Sequence, residues 1–304
     1  MLVDFLVKIF GFGFKETNAL RMFIDILSDV FSQGNIRKFI SSFLVLLECF
    51  GTFMFGFTAT PRGEPLDLAG YECVFVDEFE GDELNTDVWF HRGVGARRVG
   101  FNSAETVRVE DGNLIIKGEY LENGTYGAGW YTGAVALKEK YTRGYFEISC
   151  KCNDGPGYWS AFWLQADAPY TPEISKGGIG GAEIDIFESC NPLKGRNTVD
   201  QTIHCSGMKG DTSGGLNTQR VGSFYGKNIY TEYNTYGLMW TEDEYIFYIN
   251  GIESARTSFA DGVSQVPEQV IVSLEIPGEE PGEIGYEQEF IVDYVKIYQI
   301  PEAE

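Results

Sequence analysis

The run Glu183-Ile184-Asp185-Ile186-Phe187-Glu188 sets three carboxylates into a short segment whose other members are apolar. Preceded by a glycine loop, Gly177-Gly178-Ile179-Gly180-Gly181-Ala182, and rich in isoleucine, it reads as a strand. Side chains on a strand alternate, so Glu183 and Asp185 share one face and Ile184 and Ile186 the other. Strict alternation then turns Glu188 away from its partners. A β-bulge at Phe187 or its neighbour restores it, because one extra residue re-aims the side chain that follows. With that bulge Glu183 and Glu188 are expected about 5 to 5.5 Å apart, the spacing at which one carboxylate attacks a sugar carbon while the other donates and later removes a proton. Asp185, between them, would keep the two proton affinities apart by charge and hydrogen bonding. The bland alternative is a solvated acidic edge strand, and the hydrophobic alternate positions argue against it.

The elements that must position these groups look like strands throughout. Aromatic residues make up 15% of the chain, glycines number 37, and short tyrosine-, valine- and isoleucine-rich runs recur between turn residues. That is the pattern of a sandwich or jelly roll. Thr241-Glu242-Asp243-Glu244 reads as a hairpin connection, and Ile249-Asn250-Gly251-Ile252 as a tighter one. After residue 70 no substantial helix is expected, and no fixed-period repeat is visible.

Just upstream of the acidic run lies Gly155-Pro156-Gly157-Tyr158-Trp159-Ser160-Ala161-Phe162-Trp163-Leu164. Neutral sugars bind through aromatic faces against their C–H surfaces, so Trp159 and Trp163 are the first candidates to line a glycan cleft, with Trp130 and Tyr131 next. Trp163 and Trp240, at alternate positions of apolar strands, fit a core equally well. Asn102, after Phe101 on a polar loop, offers a hydrogen bond to a hydroxyl or is a turn asparagine. His204, in Gln201-Thr202-Ile203-His204-Cys205, could reach Glu188 or a sugar, or serve as a structural histidine.

Taken in order, the pieces resemble family 16 of the glycoside hydrolases, the laminarinase, lichenase and agarase family. Phe75-Val76-Asp77-Glu78-Phe79 with Trp89 is similar to its opening strand, and Val109-Glu110-Asp111-Gly112-Asn113-Leu114 to its first hairpin. Tyr141-Thr142-Arg143-Gly144-Tyr145-Phe146-Glu147 and the tryptophan segment follow. Tyr236-Gly237-Leu238-Met239-Trp240, Tyr248-Ile249-Asn250-Gly251 and Ile291-Val292-Asp293-Tyr294-Val295-Lys296-Ile297-Tyr298 resemble the closing strands. The likeness covers residues 70 to 299. It implies an all-β jelly-roll sandwich of two antiparallel sheets, of the concanavalin A-like lectin and glucanase architecture. Glu183 matches the nucleophile, Asp185 the assisting carboxylate and Glu188 the general acid/base, and Trp159 the cleft floor. The bulged six-residue motif is that of the laminarinase and agarase branches. Catalysis in the family needs no cofactor. A structural calcium is implied at Asp293, at a strand start, and the backbone near Gly112, in keeping with the preference of calcium for carboxylate and carbonyl oxygens.

The expected activity is retaining, endo-acting hydrolysis of β-1,3 or mixed β-1,3/1,4-glucan. Within the family the alternatives are an agar-type galactan substrate or transfer to a sugar acceptor. The alternative of another class is a non-catalytic, lectin-like glucan-binding protein, against which stands the presence of all three carboxylates. The formal charge of −22 argues against nucleic acid, which needs clustered lysine and arginine. It also disfavours sulfated polysaccharides, and the pair Arg97-Arg98 reads as solvated. A polysaccharide substrate and a monomer are expected.

Six cysteines, Cys49, Cys73, Cys150, Cys152, Cys190 and Cys205, form no disulfide framework or zinc pattern, although Cys190 and Cys205 could pair in an oxidising compartment. Residues 1–60 read as an extension before a catalytic domain at 61–304. Within it the apolar run 39–59 follows Arg37-Lys38 as an anchor or late signal would, but Glu48 in its middle costs on the order of 2.5–3.5 kcal/mol on insertion scales. The readings are an anchor that brings membrane association, a cleaved signal, or an extension without function. An extracellular or membrane-anchored location is expected, with the cytoplasm as the alternative.

Overall fold

The computed structural model describes residues 60–167, 178–189, 197–206, 216–258 and 262–301. The chain divides into two units, Met1–Ala59 and Thr60–Glu304, and every described residue belongs to the second. The apolar run 39–59, Cys49 and Cys190 lie outside the described residues, none of which forms a helix long and apolar enough to cross a membrane.

Strands account for nearly all of the regular structure. In chain order they are β1 (Glu72–Asp77), β2 (Trp89–His91), β3 (Gly95–Arg97), β4 (Gly100–Asn102), β5 (Val107–Glu110), β6 (Asn113–Gly124), β7 (Gly127–Thr132), β8 (Ala134–Tyr141) and β9 (Gly144–Lys151). There follow β10 (Trp159–Ala166), β11 (Glu183–Glu188), β12 (Thr198–Ser206), β13 (Leu216–Tyr225), β14 (Asn234–Trp240), β15 (Tyr245–Ile249), β16 (Ile252–Thr257), β17 (Glu268–Glu275) and β18 (Gln288–Gln299). One sheet has seven strands in the order β13-β12-β11-β10-β17-β8-β2, and the other has eleven, with β16-β15-β14-β9-β18-β6-β7-β4-β3 as its main path. The pairings are antiparallel except β4 with β7, a departure from the wholly antiparallel expectation.

Period-two alternation fixes which face of the seven-stranded sheet is dry. On β10, Phe162 and Leu164 are fully buried toward the other sheet, while Trp159, Ala161 and Trp163 share the opposite face with Ala136 and Ile271 of the neighbouring strands. From β11, Phe187 stacks on Tyr236 of β14 with ring centroids 4.1 Å apart and meets Phe290 of β18 edge-on. A ring pair of this kind is worth about 0.5–1.5 kcal/mol beyond its buried area. Phe187 therefore anchors the acidic strand to the core.

Two connections behave as their residues demand. Thr241 N–H bonds the Glu244 carbonyl to close β14 onto β15. Between β15 and β16, Asn250 and Gly251 take φ of 51° and 73°, the left-handed pair a two-residue hairpin needs. Ahead of β1, residues 60–71 run along the outer face of the eleven-stranded sheet. Leu66, Leu68 and Tyr71 pack on Tyr145, Met239 and Tyr248, and Gly63, Glu64 and Leu66 exchange backbone hydrogen bonds with Glu253 and Gly251 at the β15–β16 edge.

Candidate active site

The expected bulge is present. Opposite β10, Phe162 pairs with Phe187 and the next residue, Trp163, with Asp185, so Ile186 is the extra residue. Opposite β12 the register also slips between Asp185 and Glu188, from Thr202 to Asp200. The slip returns Glu188 to the face that carries Glu183 and Asp185. Glu183 accepts a hydrogen bond from Gln165 Nε2, and Glu188 Oε1 accepts one from Trp159 Nε1 at 2.9 Å. Both donors stand on β10, on the open face of the seven-stranded sheet.

His204 lies across from Glu183 on β12. Its Nε2 is 3.3 Å from Asp185 Oδ2, and its Nδ1 is 2.8 Å from Thr218 Oγ1. The ring thus bears on Asp185, where the sequence suggested Glu188 or a sugar.

Burial governs the electrostatics. It pushes the Glu188 carboxyl up to about 8, helped by the charge of Asp185 and opposed by the Trp159 hydrogen bond. Glu183 is also raised, by burial and then by Asp185, but His204, Gln165 and Arg92 pull it back. Asp185 is raised by burial against the His204 hydrogen bond, and that same bond raises His204. One carboxyl is therefore poised to hold a proton at neutral pH, while the other, also raised, has three neighbours that oppose the rise.

The remaining candidates fall into two sets. Trp159 is half-buried beside Glu188 and has the Arg98 guanidinium 4.8 Å from its ring centre. Trp163 is 7% exposed, donates to Ser273 Oγ at 3.1 Å, and carries Arg92 at 4.7 Å over its ring. Trp130 and Tyr131 are instead core residues, 3% and 0% exposed. Phe101 covers Tyr131 because β4 lies parallel to β7, and Tyr120 meets Trp130 edge-on, which leaves neither ring a face for a sugar. Asn102 is not on a loop; it ends β4 and is 6% exposed.

Several groups on this face escaped sequence reading. Gln165 could have been found, because it continues the alternation Trp159, Ala161, Trp163 by one step. Arg97 and Arg98, expected to be solvated, both bond the buried Glu275 Oε2. Across the cleft, Arg220 of β13 bonds Asp200 Oδ2 at 3.0 Å, and Asp200 is the residue opposite Glu188.

Away from the cleft Glu78, Glu80, Asp111, Gly112, Asn113, Tyr233, Asp293, Tyr294 and Lys296 line a groove, in which Lys296 Nζ lies 3.0 Å from Glu78 Oε1. Asp293 is not at a strand start: the register of β18 against β9 slips between Val292 and Tyr294, and that irregularity falls on Asp293. Its Oδ2 accepts from Ser149 Oγ at 2.9 Å. An oxygen-rich set of this kind suits a hard cation such as calcium.

A bulged carboxylate triad on the open face of a two-sheet jelly roll defines a glycan-cleft protein of the glycosidase type. The chain belongs to family 16 of the glycoside hydrolases: residues 73–279 match the family model described as "Beta-porphyranase A-D, GH16 domain". It is 25% identical over 280 residues to the glucan endo-1,3-beta-glucosidase A1 of Niallia circulans, a match that takes in 78% of this chain and 39% of that protein. It is 26% identical over 247 residues to the keratan-sulfate endo-1,4-beta-galactosidase of Sphingobacterium multivorum, covering 76% of this chain and 56% of that protein. The crystal structure of SCLam, a non-specific endo-beta-1,3(4)-glucanase from family GH16, shares the fold with a TM-score of 0.62 at 23% identity, over 80% of this chain and 97% of that one.

Proposed function

We propose that the protein is a retaining, endo-acting glycoside hydrolase that cuts β-1,3 or mixed β-1,3/1,4-glucan. The observation that carries this reading is the bulge at Ile186, which sets Glu183 and Glu188 on one open face, each held by a different side chain of β10. Glu183 attacks the anomeric carbon as Glu188 gives its proton to the leaving oxygen; Glu188 then takes a proton from water, which releases the glycosyl-enzyme. Asp185, braced by His204, raises both carboxyls, and His204, Gln165 and Arg92 draw Glu183 back down, which separates the two in proton affinity. Trp159 is the sugar platform nearest the acid. A polysaccharide met outside cells is the partner that agrees with export, and no cofactor enters the reaction.

The direct test is reducing-end release from laminarin, lichenan, cellulose and agarose, with Glu183→Gln and Glu188→Gln beside the wild type. Release from laminarin or lichenan that both substitutions abolish supports the reading; binding of glucan without any release would replace it with the lectin-like one.

A second substrate reading has an observation of its own. Arg92 and Arg98 lie over the two cleft tryptophans; Glu275 and Asp200 already pair Arg97, Arg98 and Arg220, whereas Arg92 bonds the neutral Gln165 and offers its charge to an anionic group on the sugar. Together with the porphyranase description and the keratan-sulfate relative, this favours an anionic β-galactan as the alternative substrate. Cleavage of keratan sulfate in place of laminarin, with neutral agarose left intact, would select it.

A structural calcium ion belongs to the same proposal. Asp293, the Gly112 carbonyl and the Asp111 carboxylate are the groups that would hold it, Glu78 being paired with Lys296, and its contribution would be stability of the outer face.

A further inference from the structure

Behind the cleft floor lies a carboxyl that the proposed chemistry does not use. Glu268 opens β17 and is 0% exposed. Alternation groups it with the buried Val270, Val272 and Leu274, whereas Ile271 and Ser273 belong to the cleft face. Glu268 therefore points between the sheets, where a carboxyl is costly and persists only if it bonds something. Its Oε1 accepts from the Ala182 N–H at 3.0 Å, and the Ser264 side chain also bonds it, while Oε2 has no hydrogen-bond partner.

Ala182 is the residue immediately before Glu183. Its carbonyl accepts from the Ala166 N–H at 3.0 Å. Both backbone groups of Ala182 are thus fixed, one to the end of β10 and the other to the first side chain of β17. The approach to this point is constrained as well: Gly181 sits at φ 133° and bonds back to Gly178, and the Ile179 carbonyl accepts from Gln265 N–H. Residues 178–182 and 263–268 consequently meet at Glu268, directly behind the start of the strand from which Glu183 projects.

We propose that Glu268 is a positioning residue for Glu183: by holding the Ala182 amide it fixes the origin of β11 and so the attack geometry of the nucleophile. The proposal rests on the reading of Glu183 as a glycosidase nucleophile. Burial pushes Glu268 up to about 8, so at neutral pH the group is mainly the uncharged acid. That form accepts the Ala182 hydrogen bond without adding a charge behind Glu183, and a glutamine would do the same.

The test compares Glu268→Gln with Glu268→Met, which fills similar space but cannot accept a backbone hydrogen bond. Glutamine should leave kcat within about twofold of wild type. Methionine should lower kcat about 10- to 100-fold at nearly unchanged KM, the cost of a small misplacement of a reacting group. It should slow covalent labelling by a 2-deoxy-2-fluoroglycoside by the same factor. Equal losses in both variants, or a loss confined to KM, would overturn the proposal. Amide hydrogen exchange at Ala182 needs no turnover: slow exchange in wild type and Glu268→Gln is expected, and exchange in wild type as fast as in an exposed loop would also overturn it, even where the methionine variant does not fold. A wild type that cleaves no glycan yet protects Ala182 would refute the hydrolase reading and leave the clamp standing as a structural contact.

Discussion

The indole Nε1–H of Trp159 donates to Glu188 Oε1 at 2.9 Å, so the ring beside the proposed acid/base also bears on its proton. Burial and the charge of Asp185 raise Glu188 to about 8, and this hydrogen bond is the contact that draws it down. A general acid must be protonated, so activity should fall as pH rises through about 8; a nucleophile must be ionised, so activity should fall as pH drops through the raised value of Glu183. Trp159→Phe keeps the platform and removes the bond. Its upper limb in a kcat/KM profile should move to higher pH, and a limb that stayed in place would deny the coupling. Glu188→Gln should lose the upper limb altogether, with kcat about 10²- to 10⁴-fold lower.

The same shift carries a stability cost. A carboxyl whose folded value lies above its unfolded value stabilises the fold fully below about pH 4.5, and that contribution is lost as pH rises through about 8. Glu188→Gln removes the titrating group, so its denaturant midpoint should decline less than that of wild type between pH 5 and 8. The gain at the upper end should be on the order of a few kcal/mol. Parallel declines in the two proteins would show that Glu188 is not raised.

Deletion of Ile186 offers a test of the bulge itself. The segment would read Glu-Ile-Asp-Phe-Glu, in which plain alternation already puts the three carboxylates on one face and the phenylalanine inward. The deletion should fold and keep glycan-cleaving activity well above that of Glu188→Gln, at a cost of roughly 2–5 kcal/mol for the lost buried side chain. Activity no higher than that of Glu188→Gln, in a folded protein, would mean that the bulge sets more than the facing of Glu188.

Chelation addresses the outer groove. EDTA should lower the melting temperature by several degrees, and added calcium should restore it. Asp293→Ala should melt near the chelated value and ignore both additions, whereas a wild type indifferent to EDTA would dismiss the ion.

What could be read from the chain was local. The bulge followed from counting faces along six residues, and the Asn250-Gly251 hairpin from a two-residue turn rule. What could not be read depends on strands far apart in sequence. Arg98 occupies a tight turn at φ 49° after β3, and only the fold brings it to Glu275 and over Trp159. Trp130 and Tyr131 are of the residue types that line sugar clefts, and the neighbouring strands decide that they are core: Phe101 of β4 covers Tyr131 and Tyr120 of β6 meets Trp130. Net charge is likewise silent about placement: it is a property of the whole chain, and only the fold shows that Arg97, Arg98 and Arg220 are held by Glu275 and Asp200 beside the cleft.

The segment before β1 has a consequence for solubility. β16 ends the eleven-stranded sheet, and residues 63–66 occupy its outer margin through the bonds of Gly63 and Glu64 with Glu253 and the bridge of Pro65 with Ile252. An uncovered margin is a template for another chain, and proline is among the residues that close one. A protein trimmed to residue 72 would keep the three carboxylates of β11 and bare the β16 edge, and it should self-associate edge to edge where the longer chain does not.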